Sequence, residues 1–577
     1  MRYQPIYDIA ELCARKGVTQ TVLCPGSRCA PLTLAFSRHD DITVRTFSDE
    51  RSAAFIASGI AHQTQSPAIL VCTSGSAAYN FAPAVAEAYF QEIPLLVFTA
   101  DRPKEWIDQL DGQTIRQTNI FGVHVKKSFT LPEDYEHPDA VWFIHRVINE
   151  AINLAQEFPK GPVHINAPFR EPLYPAKGEK ISFSKNLKVI QSNSVAQHIS
   201  ADEVKEFNKR LNGFSKILIL AGQNDFDDDL AKAVEKFTQA KHAAVVGDVL
   251  SNLHSRQNVI RYSDTFLGSC DEYVKRSLQP ELLITFGKSI ISKNTKLFLR
   301  KYKAKEHWHI QPFDSSADTF QSLTEIIRCN PKEFFKALIP SETEKKFDTQ
   351  KKENFKLVWE AEEHRTIRSM NSYFKSSSFS EISFVKEFIL QLPSRCNLHL
   401  ANSMAVRYAN LVGIEAGKKG IHVYANRGAS GIDGCTSTAV GHALCNEAPN
   451  FLITGDMAFF YDRNAFWHNY LLPGLHVLVL NNHGGIIFNM IDGPGNVPEL
   501  NEFFVTEQKL TAQHLCGEYD FEHLHVDSPK KLKNSLKDFF IFNSKTKILE
   551  FESEQEGNKE AYQKFKQQIK EGYETQV

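Results

Sequence analysis

The chain has 577 residues, and its 66 Lys and Arg against 68 Asp and Glu give a formal net charge of −2. At about 150 residues per domain this length predicts three or four domains and excludes a lone small binding module. The balanced charge excludes a global basic field for nucleic acid or anionic lipid. With 42% hydrophobic and 23% charged residues the sequence can bury substantial cores, which excludes a disordered chain.

In chain order, Met1 to Gly17 lacks a basic segment followed by an unbroken apolar run, so no signal peptide is expected. Short β-branched runs then alternate with helical patterns: Ala68 to Cys72, Leu95 to Thr99 and Val163 to Ile165, followed by Ile217 to Leu220, Ala243 to Val246 and Leu282 to Phe286. A third set comprises Asn397 to Leu400, Phe451 to Thr454, His476 to Leu480 and Lys547 to Phe551. Alternation of this kind predicts an α/β protein of three domains, each a mainly parallel sheet flanked by helices. The expected bounds are 1–180, 195–340 and 380–577, and the first and last thirds share their layout.

Between these units, Pro172 to Val195 is rich in Lys, Ser and Pro and reads as a crossing segment. Ser341 to Lys356 is charged and leads through an amphipathic stretch to Ser376-Ser377-Ser378, which reads as a solvated helix face and linker before Ser380 caps a new helix. The apolar stretch Leu471 to Leu480 is interrupted by Pro473, Gly474 and His476 and falls short of the ~20 residues that span a bilayer, so no membrane insertion is expected. The ten cysteines lack zinc or redox spacing, Cys24 and Cys29 included, and read as reduced core thiols of a cytoplasmic protein. His307 and His309 flank Trp308 with the alternation of a strand and read as core histidines.

Two constellations can carry chemistry. Gly455-Asp456-Met457-Ala458 directly follows one apolar strand, and Asn481-Asn482-His483-Gly484-Gly485 follows another. A carboxylate, an amide oxygen and a glycine carbonyl at the ends of neighbouring parallel strands are hard oxygen ligands suited to Mg²⁺ holding a diphosphate. Two ordinary strand-end turns read equally well from these residues alone. The second constellation, Phe47-Ser48-Asp49-Glu50-Arg51, leads into the small-residue helix Ser52 to Gly59, where Glu50 is either a helix-start carboxylate or an activating one.

The first pattern resembles the diphosphate motif of thiamine-diphosphate enzymes, a Gly-Asp pair followed further on by paired asparagines. In such enzymes one carboxylate holds the aminopyrimidine ring in the tautomer that removes the thiazolium proton, and Glu50 is the well-placed candidate. Arginine-bearing turns narrow the resemblance: Cys24-Pro25-Gly26-Ser27-Arg28, Thr99-Ala100-Asp101-Arg102-Pro103, Asn402 to Arg407 and Asn426 to Gly434. Several arginines on rigid turns suit substrates with more than one carboxylate. With Thr73 to Ala78 and Gln113 to Gln117, these segments closely resemble 2-succinyl-5-enolpyruvyl-6-hydroxy-3-cyclohexene-1-carboxylate synthases of menaquinone biosynthesis, over the first 125 residues or so and about 402–488.

That resemblance implies pyrimidine-binding, central and diphosphate-binding domains, thiamine diphosphate with Mg²⁺ or Mn²⁺, and a dimer or tetramer with its site at a subunit boundary. It implies Glu50 at the aminopyrimidine, Asp456, Asn482 and the Gly484 carbonyl at the metal, and Ile432 beneath a bent cofactor. Ser403, Gly431, Met457 and Ala458 line the cofactor in this reading. Ser27, Arg28, Arg102, Gln113, Arg407 and Arg427 hold substrate groups, and Ile487 and Phe488 wall the pocket. The implied reaction is decarboxylation of 2-oxoglutarate and 1,4-addition of the carbanion to isochorismate. Two departures stand out: His483 where a third Asn is common, and Met457-Ala458 in place of a frequent Leu-Ser pair. Another thiamine-dependent 2-oxo acid lyase or synthase, such as an acetohydroxyacid synthase relative, and a non-catalytic diphosphate-binding regulatory protein are the competing readings.

Overall fold

A computed structural model describes residues 3–193, 198–313, 315–339, 350–491 and 493–574. The expected bounds of the middle domain at 195 and 340, and positions 341–349 of the charged stretch, lie outside the described residues. Eighteen strands form three six-stranded sheets in which every neighbouring pair is parallel. The first sheet contains β1 (Gln20–Leu23), β2 (Thr43–Thr46), β3 (Ala68–Cys72), β4 (Leu95–Asp101), β5 (Ser128–Thr130) and β6 (Pro162–Pro168). The second contains β7 (Ile217–Ala221), β8 (Ala244–Gly247), β9 (Val259–Ile260), β10 (Leu282–Phe286), β11 (Glu306–Gln311) and β12 (Glu325–Arg328). The third contains β13 (Cys396–Leu400), β14 (Ile421–Tyr424), β15 (Asn450–Gly455), β16 (Leu475–Asn481), β17 (Glu522–Val526) and β18 (Lys547–Glu552).

The sheet orders are β2-β1-β3-β4-β6-β5, β12-β11-β10-β7-β8-β9 and β14-β13-β15-β16-β18-β17. The first and third thus repeat one order, and the second is a doubly wound sheet whose halves diverge between β7 and β10. Helices cover both faces, so central strands such as β3, β10 and β16 are buried throughout and read as mainly apolar runs, with Thr285 in β10 and His476 and Asn481 in β16 as the polar members. The edge strand β2, largely exposed, carries no such signature.

The helix Glu50–Thr64 is fixed at its start by Asp49, whose Oδ1 accepts from the Arg51 and Ser52 main-chain N–H groups. Its small residues let it lie directly on the helix Cys435–Ala443. A Cβ added at Gly59 would stand 2.2 Å from the Thr438 carbonyl oxygen, and one at Gly441 would stand 2.2 Å from that of Ile56. The first and third units share one apolar core through this contact, with Ile56 and Ile60 packed among Ala439, Val440 and Phe459.

The amphipathic stretch read as a solvated linker is, in its described part, structural. The helix Gln350–Lys375 buries Phe355 and Trp359 in the middle unit, with the Trp359 ring edge-on to Phe266 and Phe298. Glu363, which looks like part of a charge run, is buried and accepts the main-chain N–H groups of Arg261 and Tyr262 at 3.0 Å. His307 and His309 both meet the Thr285 hydroxyl at 2.8 Å, and burial pushes His307 down to about 4, consistent with core histidines.

The helix contact is testable by volume. Gly59→Ala should cost about 1–3 kcal/mol by overpacking, more if the backbones cannot part. Gly517→Ala, inside a helix with open space around it, should cost nothing or stabilise by up to about 1 kcal/mol. Urea unfolding of the two variants measures the difference.

Candidate functional site

In the third sheet β13 and β15 are neighbours although β14 intervenes in sequence, so their connections leave in opposite directions and open a crevice at the carboxyl ends. A cavity of about 510 Å³ occupies it. Asn402, Ser403 and Arg407 enter from the end of β13, Arg427 and Ile432 from that of β14, Asp456, Met457 and Ala458 from β15, and Asn482, Gly484, Ile487 and Phe488 from β16. Eleven of the twelve third-unit residues expected from the sequence are thereby brought to one end of one sheet, joined by Asn402; the twelfth, Gly431, lies behind the wall with its carbonyl accepting from Asn402.

Asp456 opens a short helix straight after β15 and is 1% exposed. Its Oδ2 accepts from Gln508 Nε2 at 2.8 Å, and burial pushes its carboxyl up to about 6. Asn482 is buried as well: its Nδ2 donates to Glu381 Oε1 at 2.8 Å, while its Oδ1 has no protein partner. A left-handed backbone at His483 (φ 63°) turns the chain, and Gly484 follows where a Cβ would stand 2.9 Å from both Gln555 and Val505. The Gly484 carbonyl accepts from the Ile486 N–H at 3.0 Å and retains a second lone pair. A buried carboxylate beside an amide oxygen left open is costly unless a cation completes the set. One carboxylate, one amide oxygen and one carbonyl fit Mg²⁺ or Mn²⁺ in character. His483, in place of an Asn, turns away and meets Glu552 at 2.8 Å.

The wall bearing Ile432 is held from two sides. Asn402 Nδ2 donates to the carbonyls of Asn426 and Gly431, at 2.7 and 2.6 Å. From the first unit, the buried Glu87 carboxylate accepts the main-chain N–H groups of Gly428, Ala429 and Ser430 at 2.7, 2.7 and 3.1 Å. So anchored, the turn presents Ile432, 36% exposed, to the cavity. Arg407 and Arg427 donate only to neutral oxygens here, those of Ser403 and Asn402. Burial lowers the pKa of Arg407, and the neighbouring Arg427 charge lowers it further.

The first-unit candidates gather at the carboxyl ends of the first sheet. Ser27 and Arg28 follow β1, Glu50 follows β2, and Arg102 follows β4. Arg28 is buried, donates to the Phe169 carbonyl and Glu171, and feels the Arg102 charge. Arg102 reaches Gly112 and Asp111, beside an exposed Gln113 with φ 55°. Glu50, half-buried, is close enough for its charge to raise the Cys24 thiol, after burial. None of these five lines the cavity, whose walls within the single chain run from residue 381 to 506.

Sequence reasoning missed Glu381, Gln508 and Glu87. Glu381 is a first-turn helix residue and Glu87 a mid-helix one, positions where a carboxylate is ordinary; only the fold brings them to Asn482 and to the turn. Burial, reinforced by the Asp456 charge and opposed by the Asn482 hydrogen bond, pushes Glu381 up to about 7.

A doubly wound sheet between two like-ordered sheets, with an Asp–Asn–Gly crevice at the end of the last, defines a thiamine pyrophosphate enzyme. Residues 7–121 match the family described as thiamine pyrophosphate enzyme, N-terminal TPP binding domain, and residues 184–400 the one described as middle domain of thiamine pyrophosphate. The chain is 45% identical to a 2-succinyl-5-enolpyruvyl-6-hydroxy-3-cyclohexene-1-carboxylate synthase of Cytophaga hutchinsonii over 99% of this chain and 100% of that protein. Synthases of the same name in Flavobacterium johnsoniae, 39% identical over 94% of this chain and 95% of theirs, and Bacteroides thetaiotaomicron, 36% identical over 92% of each, are similar throughout. The chain belongs to this family of synthases.

The Glu87 anchor gives a prediction separate from catalysis. Glu87→Leu strands three N–H groups, each costing about 1–3 kcal/mol if it stays buried. Urea unfolding should show at least about 2 kcal/mol of lost stability, and amide exchange at 428–430 should rise above that of β15.

Proposed function

We propose that this chain decarboxylates 2-oxoglutarate and adds the resulting carbanion to isochorismate, at a site formed by the third-sheet crevice and the first-sheet end of a second copy. The observation that carries this reading is the crevice itself: Asp456 buried next to the open Asn482 oxygen, below two arginines that bond only neutral oxygens. Thiamine diphosphate, when bound, supplies a nucleophilic carbon and an electron sink for the decarboxylation. The remaining roles fall to residues of the chain.

Asp456, Asn482 and the Gly484 carbonyl would hold the divalent cation that neutralises the diphosphate. Ser403, Met457 and Ala458 would form the floor with Gly431 behind it, and Ile432 would support the cofactor from beneath, a gain by proximity. Glu50 accepts and holds a proton at the aminopyrimidine ring. Arg407 and Arg427, with Ser27, Arg28, Arg102 and Gln113 from the partner, bind substrate carboxylates and hydroxyls bidentately. Ile487 and Phe488, both lining the cavity, would keep water and its protons away from the second substrate's site. The arginine set favours this pair of acids over substrates with a single carboxylate.

A second copy would bring a Glu50 to the crevice, a reading supported by the place of Glu50 at the end of the first sheet, outside the walls of its own chain's cavity. Trp106 and Leu110, exposed beside Arg102 and Gln113, supply apolar surface for that association. Dimer and tetramer both satisfy this requirement. Among the described residues no helix is long and apolar enough to cross a membrane. A cytoplasmic location is supported by ten free cysteines, nine of them buried.

Glu50→Gln should retain cofactor binding while proton exchange at the thiazolium carbon, followed by NMR, falls about 100-fold or more; unchanged exchange would remove Glu50 from its role. Subunit mixing tests the shared site. Glu50→Gln and Asp456→Asn homo-oligomers should each be inactive. Unfolding and refolding them together should restore activity, because some mixed pairs carry one site with both residues intact. No recovery from verified mixed oligomers would assign each site to a single chain.

A further inference from the structure

Asn482 and Asn481 are adjacent amides with opposite bookkeeping. Asn481 is satisfied on both sides: its Oδ1 accepts from the His483 N–H and Gln508 Nε2, and its Nδ2 donates to the Leu510 carbonyl and Glu550 Oε1. Asn482 has one partner, Glu381, on its nitrogen side, and its oxygen is buried and open. An amide turned over by half a rotation has nearly the same shape, so packing alone barely distinguishes its two ends. A carboxylate does distinguish them, because it accepts and cannot donate.

We propose that Glu381 is the positioning residue of the cation site: by taking the Asn482 NH₂ group it fixes the amide with its oxygen toward Asp456 and the cavity. The inference rests on the proposed metal site and adds to it a residue that need not touch the metal. Glu381 is itself held. It is wholly buried at the start of the helix Glu381–Gln391, and its main-chain N–H donates to Asn558 Oδ1 at 2.8 Å on the C-terminal helix. Asn558 in turn donates to Ser553 Oγ at 2.8 Å, just past β18. The orientation of one ligand is thereby tied to two elements that take no part in the cavity wall. Gln508 acts in the complementary sense on Asp456, donating to Oδ2.

The test is Mn²⁺ binding rather than turnover, read by electron paramagnetic resonance of free Mn²⁺ at saturating thiamine diphosphate. Glu381→Leu removes the acceptor and should weaken Mn²⁺ about 10- to 100-fold, and Glu381→Gln, whose amide can donate to Asn482 Oδ1 as well as accept from its nitrogen, should weaken it about threefold or more. In an Asn482→Asp background the ligand has two equivalent oxygens and Glu381 instead faces a like charge, so adding Glu381→Leu should leave Mn²⁺ affinity unchanged or raise it. A purely structural role would carry the loss into that background and would overturn the proposal, as would a folded Glu381→Leu protein that binds Mn²⁺ like the parent. If Glu381→Leu does not fold, Glu381→Gln decides: a loss of about threefold or more supports the assignment, and affinity equal to the parent's overturns it. Failure of the parent protein to bind Mn²⁺ would instead remove the metal site, and the assignment with it.

Discussion

The site depends on an electrostatic debt accepted at the ends of β15 and β16. Asp456 and Asn482 are taken out of water, and the protein answers only part of their hydrogen-bonding capacity: the Asp456 carboxylate is met by Gln508 and the Met457 and Gly484 main-chain N–H groups, and Asn482 by Glu381 on its nitrogen side only. What remains is oxygen, facing one space. Folding therefore leaves a preference for a hard cation at that point. The Gly484 turn and the cover segment that packs on it, with Gly485 N–H donating to the Val505 carbonyl at 2.7 Å, give the cation a closed side.

Around that point the arrangement is one of pre-positioned charge. The arginines that face the cavity are held by neutral carbonyl and amide oxygens, so their carboxylate-binding capacity is kept for a ligand. Burial first, and then the Arg427 charge, lower the pKa of Arg407, while Asp248 and Glu87 act on Arg427 from a distance without an ion pair among the described residues. Glu87 places its hydrogen bonds on main-chain N–H groups, fixing the turn that displays Ile432.

Much of this was legible in the sequence because parallel α/β folds write their centres as apolar runs and their functional residues just after them. β3 and β10 begin and end as their apolar runs do, and Asp456 and Asn482 were readable as strand-end residues. The interior strand β1 and the edge strands β2, β5, β9, β12, β14 and β17 carry no readable run: β2, β5, β12 and β17 are partly exposed, and β1, β9 and β14 have four residues or fewer. The helix bearing Trp359 was misread because its buried residues are sparse among Lys and Glu, and Glu363 is charged yet internal. Glu381, Gln508 and Glu87 escaped for a related reason: their importance lies in partners distant in sequence, a relation that no local spacing encodes. The assignment of roles to individual site residues came from family resemblance, and the structure contributes the distances and burial that make those roles physically coherent.

The contact of the helices Glu50–Thr64 and Cys435–Ala443 has a mechanical corollary. Backbones that meet at Gly59 and Gly441 without space for a methyl group do not slide past one another, so the outer units behave as a rigid block. Motion at the crevice then falls to elements outside that contact, such as the segment Leu500–Val505, which packs over Gly485 and leaves Phe503 open to solvent.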